Sequence, residues 1–92
     1  MKNKEVIRNF LNKCEAINHH GSLRSTGDRL FSYNTCIAEW TDDYLVINVT
    51  KYSQNTSRIQ NMFLREARTG LEIIKVDNVP INTQRLWINE MV

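Results

Sequence analysis

Residues 30–52 read LFSYNTCIAEWTDDYLVINVTKY, and this stretch decides the fold. Its two halves, 30–40 and 44–52, are rich in β-branched and aromatic residues, and Thr41-Asp42-Asp43 between them is turn-like. That pattern predicts a β-hairpin. A three-residue loop sets Trp40 opposite Tyr44, Ala38 opposite Val46, Cys36 opposite Asn48, Asn34 opposite Thr50 and Ser32 opposite Tyr52. The other face then carries Phe31, Tyr33, Thr35, Ile37, Leu45, Ile47 and Val49, and is the predicted core face. A change of one residue in the loop would exchange the two sets, because side chains alternate along a strand.

Amphipathic segments flank the hairpin. Val6, Ile7, Phe10, Leu11, Cys14 and Ile17 recur at helical spacing, predicting a helix over 3–18 with Asn3 as its cap and Gly21 beyond its end. The polar stretch 19–29 has room for a short strand at 22–26 and a turn at Ser25-Thr26-Gly27-Asp28. A second helix is predicted over 57–69. Ser57-Arg58-Ile59-Gln60 fits a capping box, Ile59, Met62, Phe63 and Ala67 form the apolar side, and Gly70 ends it. Residues 71–76 read as a further strand stopped by Pro80, and Asn82 is placed to cap a last short helix within 83–91. The expected fold is one α+β domain spanning 1–92: a small antiparallel sheet with both amphipathic helices packed on one face.

Composition narrows the function classes. Ninety-two residues with Lys+Arg 12 and Asp+Glu 10 carry a net charge of +2, too small to predict nucleic-acid binding by itself. Residues 1–30 hold six basic and three acidic groups, and residues 55–70 three basic and one, so positive charge gathers on the predicted helices. No apolar run is long enough for a transmembrane helix, and the opening Met1-Lys2-Asn3-Lys4-Glu5 does not read as a signal peptide, so a cytoplasmic protein is expected. Two cysteines make no disulfide framework.

Three features are candidates for recognition. The polar row Ser32, Asn34, Asn48, Thr50 and Tyr52 lines one sheet face if the pairing above holds, offering hydroxyls and amides to a ligand; a solvated face gives the same pattern. Lys51-Tyr52-Ser53 enters the second helix beside Arg58, where free backbone N–H groups suit an anion, or where the hydroxyls serve only as caps. Arg58, Arg65 and Arg68 form a basic stripe opposite the apolar side of that helix, with Arg24, Arg29 and Lys51 as extensions. Tyr33, Tyr52, Arg58 and Arg65 are the expected energetic anchors, since Tyr and Arg dominate binding hot spots.

Catalytic and metal chemistry find no constellation. His19-His20 point apart and lack ligand spacing, so no metal or other cofactor is expected. Cys14 reads as a core residue, Cys36 has no base that can be named, and Glu39, Asp42 and Asp43 read as turn chemistry. A small-ligand or enzymatic site around Ser32, Asn34, Tyr52 and Ser53 remains a lesser alternative. Trp40, Tyr44 and Val46 on one exposed face would invite a second copy.

Leu23-Arg24-Ser25-Thr26-Gly27-Asp28, Ser32-Tyr33-Asn34-Thr35 and Lys51-Tyr52-Ser53 with Thr56-Ser57 resemble a pattern found in small uncharacterised phage-encoded proteins, over roughly residues 22–60. The resemblance carries no catalytic residues. It implies a viral origin, expression in a bacterial host cytoplasm, and a host-takeover or anti-defence role such as CRISPR inhibition. The element order also resembles the double-stranded-RNA-binding domain, but Ser57-Arg58-Ile59-Gln60-Asn61 lacks that family's lysine cluster. The expectation is a non-enzymatic binding protein that occludes a host protein or nucleoprotein through Tyr33, Asn34, Asn48, Thr50, Tyr52, Ser53, Arg58, Arg65 and Arg68. Direct nucleic-acid binding through the basic helix face is the alternative.

Overall fold

The computed structural model describes residues 1–41, 44–67 and 72–86. Its elements are α1 (Asn3–Leu11), β1 (Glu15–Ile17), β2 (Leu23–Thr26), β3 (Arg29–Ser32), β4 (Thr35–Thr41), β5 (Tyr44–Asn48), α2 (Gln54–Glu66) and β6 (Glu72–Val76). The fold is α+β, and the six strands form one sheet in sequence order. The sheet is mixed, not antiparallel as expected. Strands β1 to β5 pair antiparallel, but β6 lies parallel to β5. The cause is α2: a parallel neighbour needs a crossover connection, and the helix supplies it.

Helix α1 stops at Leu11, well short of residue 18. Lys13 takes a left-handed φ of 60°. Its N–H donates to Phe10 O at 2.8 Å, and the Cys14 N–H donates to Asn9 O at 2.8 Å. This pair of bonds closes the helix end as a Schellman motif. Cys14 is consequently exposed and not in the core, and the rest of the expected helix becomes β1. The expected strand 30–40 is also two strands. Ser32 pairs with Thr35, so Tyr33 and Asn34 form a tight turn, with Tyr33 at a left-handed φ of 56°.

The hairpin of β4 and β5 pairs Thr41 with Tyr44, Trp40 with Leu45, Glu39 with Val46 and Ala38 with Ile47. Every pair is one step away from the expected register. Within β4, pairing with β3 moves from Leu30↔Ala38 to Phe31↔Cys36 and skips Ile37, a β-bulge. Leu45 and Ile47 join one core cluster with Val6, Ile7 and Phe10 of α1 and Ile59 and Phe63 of α2. Phe10 stacks on Trp40 at 5.9 Å between ring centroids and meets Phe63 at 5.7 Å. Val46, pointing the other way, packs with Phe31, Cys36 and Leu86 in a second cluster.

Two further expectations fail on packing. Trp40, Tyr44 and Val46 share no exposed apolar face: Val46 is fully buried, while Trp40 packs on the first cluster and donates its Nε1–H to Phe10 O at 2.9 Å. Glu39 is not a turn residue but a buried carboxylate in β4, accepting from Leu86 N at 2.8 Å. Residues 83–86 contain no helix, and the remainder of the expected last helix, with Arg68, Gly70, Asp42 and Asp43, lies outside the described residues. None of the described helices is long and apolar enough to cross a membrane.

Candidate binding surface at the start of helix α2

The polar row expected on one sheet face is dismantled, because the Tyr33-Asn34 turn breaks its first strand and residues 79–86 cover the face that Asn48 shares with Val46. Asn48 is fully buried. Its Nδ2 donates to Cys36 O at 3.1 Å and to Tyr52 Oη at 2.8 Å, and its Oδ1 accepts from Thr50 N at 2.9 Å. Tyr52 Oη in turn donates to Val79 O at 2.6 Å, and Thr50 Oγ1 accepts from Val79 N at 2.9 Å. Gln60 Nε2 reaches from α2 to Asn48 O at 2.6 Å and Thr50 O at 3.1 Å. Ser32 is buried and meets Thr56 Oγ1 at 3.3 Å. Asn48 and Ser32 are therefore internal fastenings, and Asn48 is withdrawn as a contact residue. Thr50 and Tyr52 are half-buried, with their polar atoms turned toward Val79, whereas Asn34 is exposed and only its backbone oxygen is engaged, by Gln84 Nε2 at 2.8 Å.

Of the remaining expected residues, Tyr33, Ser53 and Arg58 converge, whereas Arg65 lines no recess with them and Arg68 lies outside the described residues. Helix α2 begins at Gln54, three residues before the expected start, because Ser53 is its N-cap and accepts from Thr56 N at 3.2 Å. Gln60, read from sequence as the capping-box partner, is instead a buried tether. The earlier start places Ser53 and Lys51 beside the β3–β4 turn. Tyr33 projects from that turn 60% exposed, its backbone pinned by donation to Ser22 O at 2.7 Å. Arg58 and Arg65 are exposed on α2, and neither makes an ion pair among the described residues. Seven residues apart, they lie on one helix face about 10 Å from each other along the axis.

Three adjoining recesses join these side chains. A recess of about 140 Å³ is lined by Tyr33, Arg58, Asn3, Ser22 and Asn55 over Leu23 and Ile59. A second, of about 390 Å³, runs between Tyr33, Lys51, Tyr52 and Ser53 and is walled by Ile81 and Asn82. A third lies between Lys51, Ser53, Ser57, Arg58 and Asn61. No acidic side chain lines any of them. The sequence carried a signal for this that the charge of segments 1–30 and 55–70 does not show: no Asp or Glu occurs from Leu45 to Arg65, while Lys51, Arg58 and Arg65 do. The small-ligand set is only partly assembled, since Ser32, Tyr52 and Ser53 share the 390 Å³ recess and Asn34 does not line it.

Of the expected extensions of the basic stripe, Lys51 joins Arg58 at the third recess, whereas Arg24 and Arg29 do not reach it freely. Arg24 stacks over Phe31 at 4.4 Å, and Arg29 lies against buried Glu39 at 3.9 Å. His19 and His20 are exposed in the β1–β2 turn and not at a helix end. No group of three or more His, Cys, Asp or Glu among the described residues is arranged to hold a metal ion. Cys36 is buried, and burial, reinforced by the Glu39 charge, pushes its thiol up to about 12, which leaves it protonated and unreactive at neutral pH. Comparison with protein-family models, with curated proteins and with solved structures finds no match.

Proposed function

We propose that this chain is a non-enzymatic binding protein of phage origin that occludes a host protein or nucleoprotein, as an anti-defence or takeover factor. The phage origin and host setting rest on the resemblance of residues 22–60. The binding reading rests on one observation: Tyr33 of the β3–β4 turn, Lys51 and Ser53 of the approach to α2, and Arg58 of α2 itself line contiguous acid-free recesses at the start of that helix. Exposed Tyr and Arg at the rim of a recess are the side chains that carry most binding energy when a partner excludes water from them. Positive charge without acidic neighbours selects an anionic partner surface and speeds encounter. The N-terminal end of the α2 dipole adds to the same sign.

The test is recovery of partners from bacterial host lysate by tagged protein. Wild type retains a partner that an Arg58→Ala/Arg65→Ala variant of equal thermal stability loses. Equal recovery by both proteins, or no partner for either, overturns the reading.

A further inference from the structure

We infer that the 140 Å³ recess between Tyr33 and Arg58 receives an unstacked base of a single-stranded nucleic acid; this rests on the binding reading above and names what the surface contacts. The lining has the parts such a site requires. Leu23 and Ile59 give an apolar floor. Tyr33 brings an exposed ring on a turn that is fixed at its backbone, and Arg58 brings a planar guanidinium with no ion-pair partner among the described residues. Flipped-out bases stack on such aromatic and guanidinium planes. Polar groups at the edge can read a base: Asn3 Oδ1 and Ser22 Oγ both accept from Asn18 Nδ2, at 2.8 and 3.0 Å, and the Asn3 amide N–H groups and the Ser22 hydroxyl proton donate to no other group among the described residues. Asn55 adds a second amide. Outside the recess, Lys51 and Arg65 stand on either side of Arg58 as phosphate contacts.

An acidic protein side chain is the competing occupant, and the lining favours it less. The recess offers one cation over an apolar floor, where a buried carboxylate would need several charge-assisted donors. A duplex is disfavoured because its bases are stacked and unavailable to a recess.

The experiment is fluorescence anisotropy with labelled dT20, against a duplex of equal length and poly-L-glutamate as a polyanion. The intact protein binds dT20 at low salt and prefers it to both controls. Tyr33→Asn, a residue that tolerates the left-handed turn, weakens dT20 binding about fivefold or more without changing the salt dependence. Tyr33→Phe restores it. Arg58→Ala weakens binding and lowers the slope of log K against log salt by about 0.7. No binding of dT20, equal binding of poly-L-glutamate, or an unaltered Tyr33→Asn overturns the inference. If dT20 fails while the lysate partner still depends on Arg58 and Arg65, the base site is wrong and the occlusion reading stands; if both fail, both are wrong.

Discussion

Asn48 shows how one buried amide can take the place of strand pairing. The β4–β5 register runs from Thr41↔Tyr44 only to Ala38↔Ile47, so Cys36 has no backbone partner on β5. Asn48 Nδ2 satisfies the Cys36 carbonyl, and Thr83 O accepts from the Cys36 N–H at 2.7 Å. Asn48→Ala should therefore destabilise the protein by roughly 2–4 kcal/mol, since it removes three hydrogen bonds and orphans a buried carbonyl. A urea titration measures this, and a loss below about 1 kcal/mol would show that water or a neighbour replaces the amide. Cys36 itself reports on pH. Its thiol stays protonated in the folded protein to about pH 12 against an ordinary 9.0. The folded state thus holds a proton that the unfolded chain releases, and stability falls as pH rises from about 9 toward 12, with a slope approaching 1.4 kcal/mol per unit. The difference between wild type and Cys36→Ala isolates that slope from other titrating groups. Below pH 9, a thiol reagent should modify exposed Cys14 at once and Cys36 only after unfolding.

At the scale of elements, the start of α2 separates two hydroxyls that look alike in sequence. Ser53→Ala removes the cap on Thr56 N and should cost about 1 kcal/mol, whereas Ser57→Ala, inside the first turn, should cost a few tenths. Equal losses in thermal or urea unfolding would restore the start expected from the capping-box pattern. That pattern misled because Ser-x-x-Gln recognises a helix start only if the Gln faces solvent, and Gln60 is drawn inward by Asn48 O and Thr50 O. The sheet strands were legible as β-rich runs, since Leu23–Thr26, Thr35–Thr41, Tyr44–Asn48 and Glu72–Val76 all fall in or near the expected segments. The register was not legible, because a three-residue turn after Trp40 and a two-residue turn after Thr41 fit the composition equally and put Trp40 and Ala38 on opposite faces relative to Leu45 and Ile47. The end of α1 was hidden by Lys13, which takes a left-handed conformation that sequence assigns to Gly. Of the candidate site, Tyr33, Ser53 and Arg58 were found as residue types suited to contact. Their meeting depends on the Tyr33-Asn34 turn, which interrupts a run that reads as one strand.

The molecule as a whole is held on its second face by the segment after β6. Val79 bonds Thr50 and Tyr52, Asn82 N donates to Thr35 Oγ1 at 2.8 Å, Thr83 accepts from Cys36, and Leu86 buries itself beside Phe31, Cys36 and Val46. The far end of this strap is fixed by Glu39, which accepts from Leu86 N and from Arg85 Nη2 at 3.4 Å. A carboxylate only 3% exposed is retained here because it meets two donors and lies near Arg29. Ile81 and Asn82 of the same strap wall the 390 Å³ recess, so the anchor and the binding surface share a segment. Glu39→Leu should cost roughly 2–3 kcal/mol, because it leaves the Leu86 N–H buried without an acceptor, while Glu39→Gln keeps an acceptor and should cost less. Hydrogen exchange localises the effect: in Glu39→Leu the amides of Leu86, Cys36 and Asn82 should lose protection before those of β5. Cys36 should then become accessible to a thiol reagent under native conditions. Uniform loss of protection across the sheet would instead make Glu39 a determinant of global stability, with no separable strap. Retained protection at Leu86 would mean that apolar packing against Phe31 and Val46 holds the segment without the carboxylate.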